Sequence, residues 1–257
     1  MMTLTTLASG SSGNCLLLSC GSTHLLVDAG ISARRITRSL QALGLTADDL
    51  SGILITHEHS DHISGVATLT KRCAIPIYTA AATGRQLTYR IPFLEDLIRP
   101  VSPGIPFSVG DAAVTSFSTL HDAASPMGYA FSDGVRKAAV VTDLGVVTEE
   151  VRSAVRGAQL LVAEANHDPD LLRSGPYPYP LKARILGDHG HLSNAVCAEL
   201  CTEAEEWGVR RIVLAHLSLE NNRPSLARST VESALSSPIP VTVAPREEAG
   251  PTYSVGE

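Results

Sequence analysis

The sequence lacks any run approaching the roughly 18 apolar residues of a membrane-spanning helix, so no membrane role is expected. Its first residues, Met1-Met2-Thr3-Leu4-Thr5-Thr6-Leu7, show no basic region leading into a secretory apolar core, which makes the cytoplasm the expected location. Cysteine is sparse: Cys15, Cys20, Cys73, Cys197 and Cys201 are an odd set with no C-x-x-C pair. That argues against a disulfide framework or a cysteine zinc site, and reduced thiols fit the cytosol. Cys197 and Cys201 stand four apart on an expected helix and read as core packing. Positive charge is in deficit. A net charge of −6 argues against a protein that coats nucleic acid non-specifically. A local basic track remains open, with Arg34, Arg35 and Arg38 on one expected helix and Lys182 with Arg184 as a second group. There is no internal repeat, low-complexity segment or linker. The Pro-rich stretch Gly175-Pro176-Tyr177-Pro178-Tyr179-Pro180 is too short to separate domains, so a single domain over 1–257 is expected.

What is present points to a compact enzyme. Hydrophobic residues make up 44% and charged residues 18%, enough apolar side chain for a large core. Strands and helices alternate. The pattern predicts an opening meander over 3–7, 14–19 and 23–28, then a helix over 32–43 stopped by Gly44. A strand over 52–56 leads into a helix over 62–71. A second β-rich region covers 105–118 and 127–142, turning at Ser132-Asp133-Gly134. Helix 147–156, strand 159–164, a strand-like run over 181–186, helix 193–206, strand 211–216 and helix 224–236 follow. The tail from Pro245 is expected to be mobile.

The most informative stretch is Thr56-His57-Glu58-His59-Ser60-Asp61-His62, which follows the apolar run Ile53-Leu54-Ile55. Three histidines and an aspartate fall where a strand gives way to a helix. His57 and His59, two apart, can turn toward one ion; Asp61 and His62 can reach a second. Neutral imidazole and carboxylate suit zinc or manganese, and two such ions close together form a clamp for hydrolysis. A lone histidine in a polar loop would mean little. H-x-H-x-D-H directly after a buried strand means much more.

This pattern resembles the metallo-β-lactamase superfamily. That superfamily then needs a histidine, an aspartate and a final histidine, each closing a strand. The sequence supplies them in order as His121, Asp143 and His216, after Phe117-Ser118-Thr119-Leu120, Val140-Val141-Thr142 and Ile212-Val213-Leu214-Ala215. The resemblance implies a four-layered αββα sandwich and two divalent metal ions per chain, Mn2+ or Zn2+. It places the first ion on His57, His59 and His121 and the second on Asp61, His62 and His216. Asp143 lies between them beside a water. True β-lactamases do not use an aspartate at this place, whereas thioesterases and phosphodiesterases do. Asp28, in Leu25-Leu26-Val27-Asp28-Ala29-Gly30, matches an early aspartate that supports the metal loop, or is a turn aspartate before Gly30.

Three further segments bear on the substrate. Ser9-Gly10-Ser11-Ser12-Gly13-Asn14 can curl its N–H groups toward a phosphate, with Ser11, Ser12 and Asn14 as contacts, or can simply turn a hairpin. In Ala163-Glu164-Ala165-Asn166-His167-Asp168, Asn166 and His167 could orient ligands or contact substrate; alternatively Asp168-Pro169 starts a helix. In Gly187-Asp188-His189-Gly190-His191-Leu192-Ser193-Asn194, Ser193 is a plausible N-cap. With Asn194 it opens a helix whose N-terminus suits a phosphate. His191 could protonate a leaving alkoxide, while His189 reads as a surface residue. With Gly-Pro-Tyr-Pro and His216-Leu217-Ser218-Leu219-Glu220-Asn221-Asn222, these motifs in order resemble the WalJ/YycJ (VicX) family, from Ser9 to Asn222. The resemblance implies a 5′-to-3′ exonuclease on double-stranded DNA, linked to mismatch repair, with Asp61, Asp143 and His191 as catalytic groups. The residues by themselves imply a two-metal hydrolase of a phosphoester. An RNA or small-molecule phosphodiesterase and a thioesterase or lactonase stay open as alternatives. Lys182, Arg184 and Arg173 are candidates for gripping DNA, and Tyr177 and Tyr179 either stack on an end base or pack on the domain edge.

Overall fold

The structure, a computed structural model, describes residues 1–256. The first half of the chain runs β1 (Met2–Ala8), β2 (Cys15–Cys20), β3 (Thr23–Val27), α1 (Ala33–Ala42), β4 (Leu50–Leu54), α2 (Ser60–Ile63), α3 (Val66–Thr70), β5 (Ile77–Ala80), α4 (Ala81–Arg90) and β6 (Ile98–Val101). The second half runs β7 (Phe107–Val109), β8 (Ala112–Ser118), β9 (Met127–Ser132), β10 (Lys137–Val141), α5 (Glu149–Val155), β11 (Leu160–Glu164), α6 (Pro169–Ser174), α7 (Tyr179–Leu186), α8 (Asn194–Glu206), β12 (Arg211–Ala215), α9 (Pro224–Ala234), β13 (Val241–Val243) and β14 (Thr252–Ser254). Among the described residues the strands form two seven-stranded sheets, ordered β14-β1-β2-β3-β4-β5-β6 and β13-β12-β11-β10-β9-β8-β7.

Alternation along the strands makes the layers. Leu25 and Val27 of β3 face Val213 and Ala215 of β12 across one core between the sheets, while Leu26 and Leu214 point outward. The outer face of the first sheet is covered by Ile36 and Leu40 of α1 and Leu69 of α3; that of the second by Val151 of α5 and Leu200 and Cys201 of α8. The result is the four-layered αββα sandwich. Cys197 and Cys201 pack in this outer layer, as their spacing indicates.

Topology gathers one set of strand ends. β3 to β6 pair in parallel, as do β10 to β13, so the carboxyl ends within each set open on one edge. That edge is where α/β proteins place their sites. Three residues just past these strand ends, Asp28, Asp143 and His216, adopt left-handed backbone with φ of 60°, 60° and 56°. Such residues are uncommon outside glycine and cost on the order of 1–3 kcal/mol each.

Several expectations need correction. The helix over 62–71 is two helices, broken at Ser64 and Gly65, where the Gly65 N–H donates to the Ala29 carbonyl at 2.8 Å. A Cβ on Gly65 would overlap the Ile31 carbonyl oxygen, so the chain bends where it must pass close. Residues 181–186 form the body of α7 rather than a strand: Pro180 sits in its first turn, and Leu181 and Ile185, four apart, share one face. The tail from Pro245 is tied down, since β14 pairs antiparallel with β1 and Thr252 Oγ1 lies 2.8 Å from Thr5 Oγ1. The stretch 72–104, given no element above, holds β5, α4 and β6. The last is an edge strand, which explains how it carries Pro100. Asp168 does cap α6, accepting from Asp170 N and Leu171 N with Pro169 following, and Ser193 caps α8 by accepting from Val196 N.

Candidate metal centre

Local sequence aims the imidazoles. β4 delivers Thr56 to the buried carboxylate of Asp28, which accepts from Thr56 N at 2.8 Å and from its hydroxyl. Asp28 also accepts from His62 Nδ1 at 2.7 Å, so it does support the metal loop. Three more buried rings follow the same logic. His57 Nδ1 lies 3.0 Å from Thr56 Oγ1, His121 Nδ1 donates to the Gly190 carbonyl at 3.0 Å, and His216 Nδ1 donates to Glu164 Oε1 at 3.1 Å. In four rings the protein thus occupies Nδ1 and leaves Nε2 for the interior of the site. His59 is the exception: its Nε2 donates to the Asp122 carbonyl at 3.2 Å, which leaves Nδ1.

The free nitrogens converge in two groups. One ligand atom each from His57, His59 and His121 lies within 4.8 Å of the other two, and the same holds for Asp61, His62 and His216. Asp143 sits between them. Its Oδ1 is 3.4 Å from His216 Nε2 and 4.0 Å from His121 Nε2, and its Oδ2 is 3.5 Å from His62 Nε2. Asp61 Oδ2 is 3.4 Å from both His62 Nε2 and His216 Nε2. His57 Nε2 and Asp143 Oδ2 are buried with no hydrogen-bond partner in the protein. Buried polar atoms without partners are costly, and a divalent cation satisfies nitrogen and carboxylate together. The donor set therefore fits divalent metal.

Electrostatics divide the two groups. Burial holds the His57 and His121 imidazoles below their ordinary range, so these rings are neutral near pH 7. Burial also opposes charge on His216, but Asp143 and the hydrogen bonds to Asp61 and Glu164 outweigh it and push the ring up to about 10. His62 is raised for the same reason, by Asp143 and Asp28 against its burial. Burial would raise the carboxyls of Asp61 and Asp143, yet the surrounding imidazoles hold both well below the usual carboxylate range. On the Asp61–Asp143 side two carboxylates and two raised imidazoles thus balance one another, and a divalent cation would take the place of the imidazole protons.

Glu164 is the residue that sequence reasoning passed over. It closes β11 after four buried apolar residues and is fully buried itself. Oε1 accepts from His191 Nδ1 at 2.6 Å and from His216 Nδ1, and Oε2 accepts from Leu144 N at 3.1 Å. Burial pushes its carboxyl up, but His191 and the two imidazole hydrogen bonds outweigh this and bring it to about 2. The available signal was a lone carboxylate ending an apolar strand, a place where a charge must find partners. Asp122 was also missed. Its Oδ1 is 3.3 Å from His121 Nε2 and its Oδ2 takes Arg184 Nε at 2.5 Å.

The cleft over this centre has a volume of about 220 Å³ and is lined in part by Ser11, Asn166, Tyr177, Arg184, His191 and Ser218. Other candidates for substrate contact sit elsewhere. In the Ser9–Asn14 loop four N–H groups are already used: Ser9 N on Pro245 O, Gly10 N on Asn14 Oδ1, Gly13 N on Gly10 O and Asn14 N on Asp61 O. Ser11 reaches the cleft; Ser12 points to solvent. Asn14 is buried and sets its amide 3.2 Å from His62 Nε2, while Asn166 donates to the His216 carbonyl at 3.0 Å. His167 is buried outside the cleft and neither ring nitrogen has a partner. Ser193 is used as the cap of α8. Asn194 is locked in an amide pair with Asn222, at 3.0 and 2.8 Å, so neither borders the cleft. Lys182 turns away to the Arg173 carbonyl at 2.7 Å. Tyr179 is exposed outside the cleft and His189 is exposed, as expected for a surface histidine.

Known proteins share this fold. The sequence model described as the beta-lactamase superfamily domain matches residues 23–217. The metallo-beta-lactamase fold protein YhfI from Bacillus subtilis superposes with a TM-score of 0.76 at 19% identity, covering 98% of each chain, a likeness of fold. The chain is a metallo-β-lactamase-fold hydrolase. It is 41% identical over 232 residues to exodeoxyribonuclease YycJ of Bacillus anthracis, covering 89% of this chain and 87% of that protein. It is 39% identical to exodeoxyribonuclease WalJ of Streptococcus pneumoniae, covering 89% and 86%. Within the superfamily the chain belongs to the WalJ/YycJ family.

Proposed function

We propose that the chain is a dinuclear-metal phosphodiesterase whose substrate is DNA, degraded exonucleolytically from the 5′ end of a duplex. The observation that carries the metal assignment is Asp143, a buried carboxylate within 4.0 Å of imidazole nitrogens from both ligand groups. His57, His59 and His121 would hold one ion, Asp61, His62 and His216 the other, with Asp143 shared. Imidazole and carboxylate suit manganese or zinc. When bound, such ions supply Lewis acidity toward a phosphoryl oxygen and a more acidic water. The similarity to relatives named exodeoxyribonuclease supports DNA as the polymer.

The chain's own groups do the rest. His191, with Nδ1 donating to Glu164, is left with Nε2 to carry a proton to the leaving oxygen. Glu164 keeps that imidazole oriented. Arg184, at the cleft wall, can pass its guanidinium from Asp122 to a phosphate oxygen. Tyr177, also on the wall, offers a face to an end base. The test is a substrate panel for metal-loaded protein: end-labelled duplex DNA, single-stranded DNA, RNA and a model thioester. Stepwise loss of a 5′-labelled duplex is the expected outcome. Thioester cleavage with intact DNA would instead assign the site to the ester hydrolases.

A further inference from the structure

We propose that Arg246 and the groove beside it form a second nucleotide subsite, taking the sugar–phosphate unit next to the scissile bond of a DNA strand; this rests on the nuclease reading above. A groove of about 290 Å³, walled by Leu217, Leu219, Val243 and Pro245, opens next to the catalytic cleft, and Ser218 lines both. Arg246 stands at its edge.

The guanidinium is fixed in place. Its Nη2 donates to the Leu217 carbonyl at 2.9 Å, one residue past His216. On its other side lies Gly10, with φ +143°, where a Cβ would come within 2.8 Å of Arg246 Nη1. Ser9 binds the same segments together: its N–H donates to the Pro245 carbonyl at 3.1 Å, and its hydroxyl accepts from His216 N at 2.8 Å. From α1, Arg35 Nη2 donates to the Glu247 carbonyl at 2.7 Å. A cation is thus anchored to the strand end that carries a site imidazole.

That cation is unspent. Arg246 has no carboxylate within 4.0 Å among the described residues, and, unlike the other arginines without one, it stands at the edge of a groove continuous with the catalytic cleft. Most of its N–H donors are uncommitted, in a fork that matches phosphate. Leu219, 66% exposed, adds an apolar surface on the groove wall. An unpaired guanidinium beside an exposed apolar wall, continuous with a phosphoester site, complements the anion and the sugar face of one nucleotide. Arg34 and Arg38 stay exposed on α1, the helix that reaches this segment through Arg35, so positive charge continues on this flank. On the α7 flank, Arg184 is neutralised by Asp122 and Lys182 is turned away.

The experiment uses a cleavage-resistant phosphorothioate duplex, with binding followed across a salt series. Arg246→Gln is expected to weaken binding about tenfold and to lower the slope of log Kd against log salt by about one, as one phosphate contact is lost. Arg246→Lys should retain most of the slope. The ratio of kcat/KM on DNA to that on a small chromogenic phosphodiester should fall about tenfold in Arg246→Gln. Leu219→Glu, at an exposed position, puts an anion in the groove without disturbing the core and should weaken DNA binding too, even where Arg246→Gln does not fold. Variants that bind DNA with wild-type affinity and salt slope overturn the subsite alone, and so does an equal loss on both substrates. A wild-type protein that neither binds nor cleaves DNA overturns the nuclease reading itself.

Discussion

Glu164 holds two imidazoles through their Nδ1 atoms, 2.6 Å from His191 and 3.1 Å from His216, in a fully buried position. Replacing it with Gln keeps the shape and removes the charge. Glu164→Gln is expected to lower metal affinity or turnover by about 10–100-fold, measured by chelator competition and steady-state kinetics; unchanged values would show that both rings are oriented by packing alone. His191→Ala should separate from it, losing about 10²–10⁴-fold in turnover while keeping its metal. Much of this site was legible at the residue scale. H-x-H-x-D-H, His121, Asp143 and His216 gather as their spacing and strand-end positions indicated. Glu164 and Asp122 were hidden because what reveals them is a partner distant in sequence, 27 residues away for His191 and 62 for Arg184. On the substrate side, the polar groups of Ser193, Asn194 and Lys182 are engaged within the fold, with Val196 N, the Asn222 amide and the Arg173 carbonyl.

At the scale of elements, the site depends on how closely the loops after β3 and β4 approach. Gly30 N donates to the Asn14 carbonyl at 2.8 Å, and a Cβ at Gly30 would overlap the carbonyl oxygen of Asp61. Gly30→Ala must push Asp61 away from its place. The expected result is destabilisation of about 1–3 kcal/mol in urea unfolding, together with weakened metal binding. A variant with wild-type stability and full metal affinity would show that the loop yields without cost. Strands and helices with clear periodicity were legible in the sequence, including the opening meander and α8. The misread elements have physical causes. α3 is too short to stand apart from α2 by pattern alone. In α7 Lys182 and Arg184 alternate with Leu181, Ala183 and Ile185, a period-two pattern that made the run look extended. β6 carries a proline that disguises an edge strand, and β14 is three residues held by pairing across the whole length of the chain.

For the whole molecule, His167 couples stability to pH. Burial lowers its pKa from 6.5 to about 4 against the opposing pull of Glu164, and neither nitrogen has a partner. Between these values the unfolded chain binds the proton and the folded chain does not, so stability rises with pH. The contribution is complete above pH 6.5 and is lost as pH falls toward 4, the loss reaching about 2 kcal/mol by pH 5. Comparing urea unfolding of wild type and His167→Asn at pH 7 and pH 5 isolates this share; equal pH dependence in the two would mean that His167 is hydrated in the fold. No helix among the described residues is long and apolar enough to cross a membrane. The central claim is that Asp143 joins two metal positions in one chain, and elemental analysis of divalent metal per chain tests it most directly. Two ions per chain in the wild type, with the content reduced and hydrolysis abolished in Asp143→Ala, is the expected result. Full activity in a metal-free wild type, or two ions retained by an active Asp143→Ala, would contradict it.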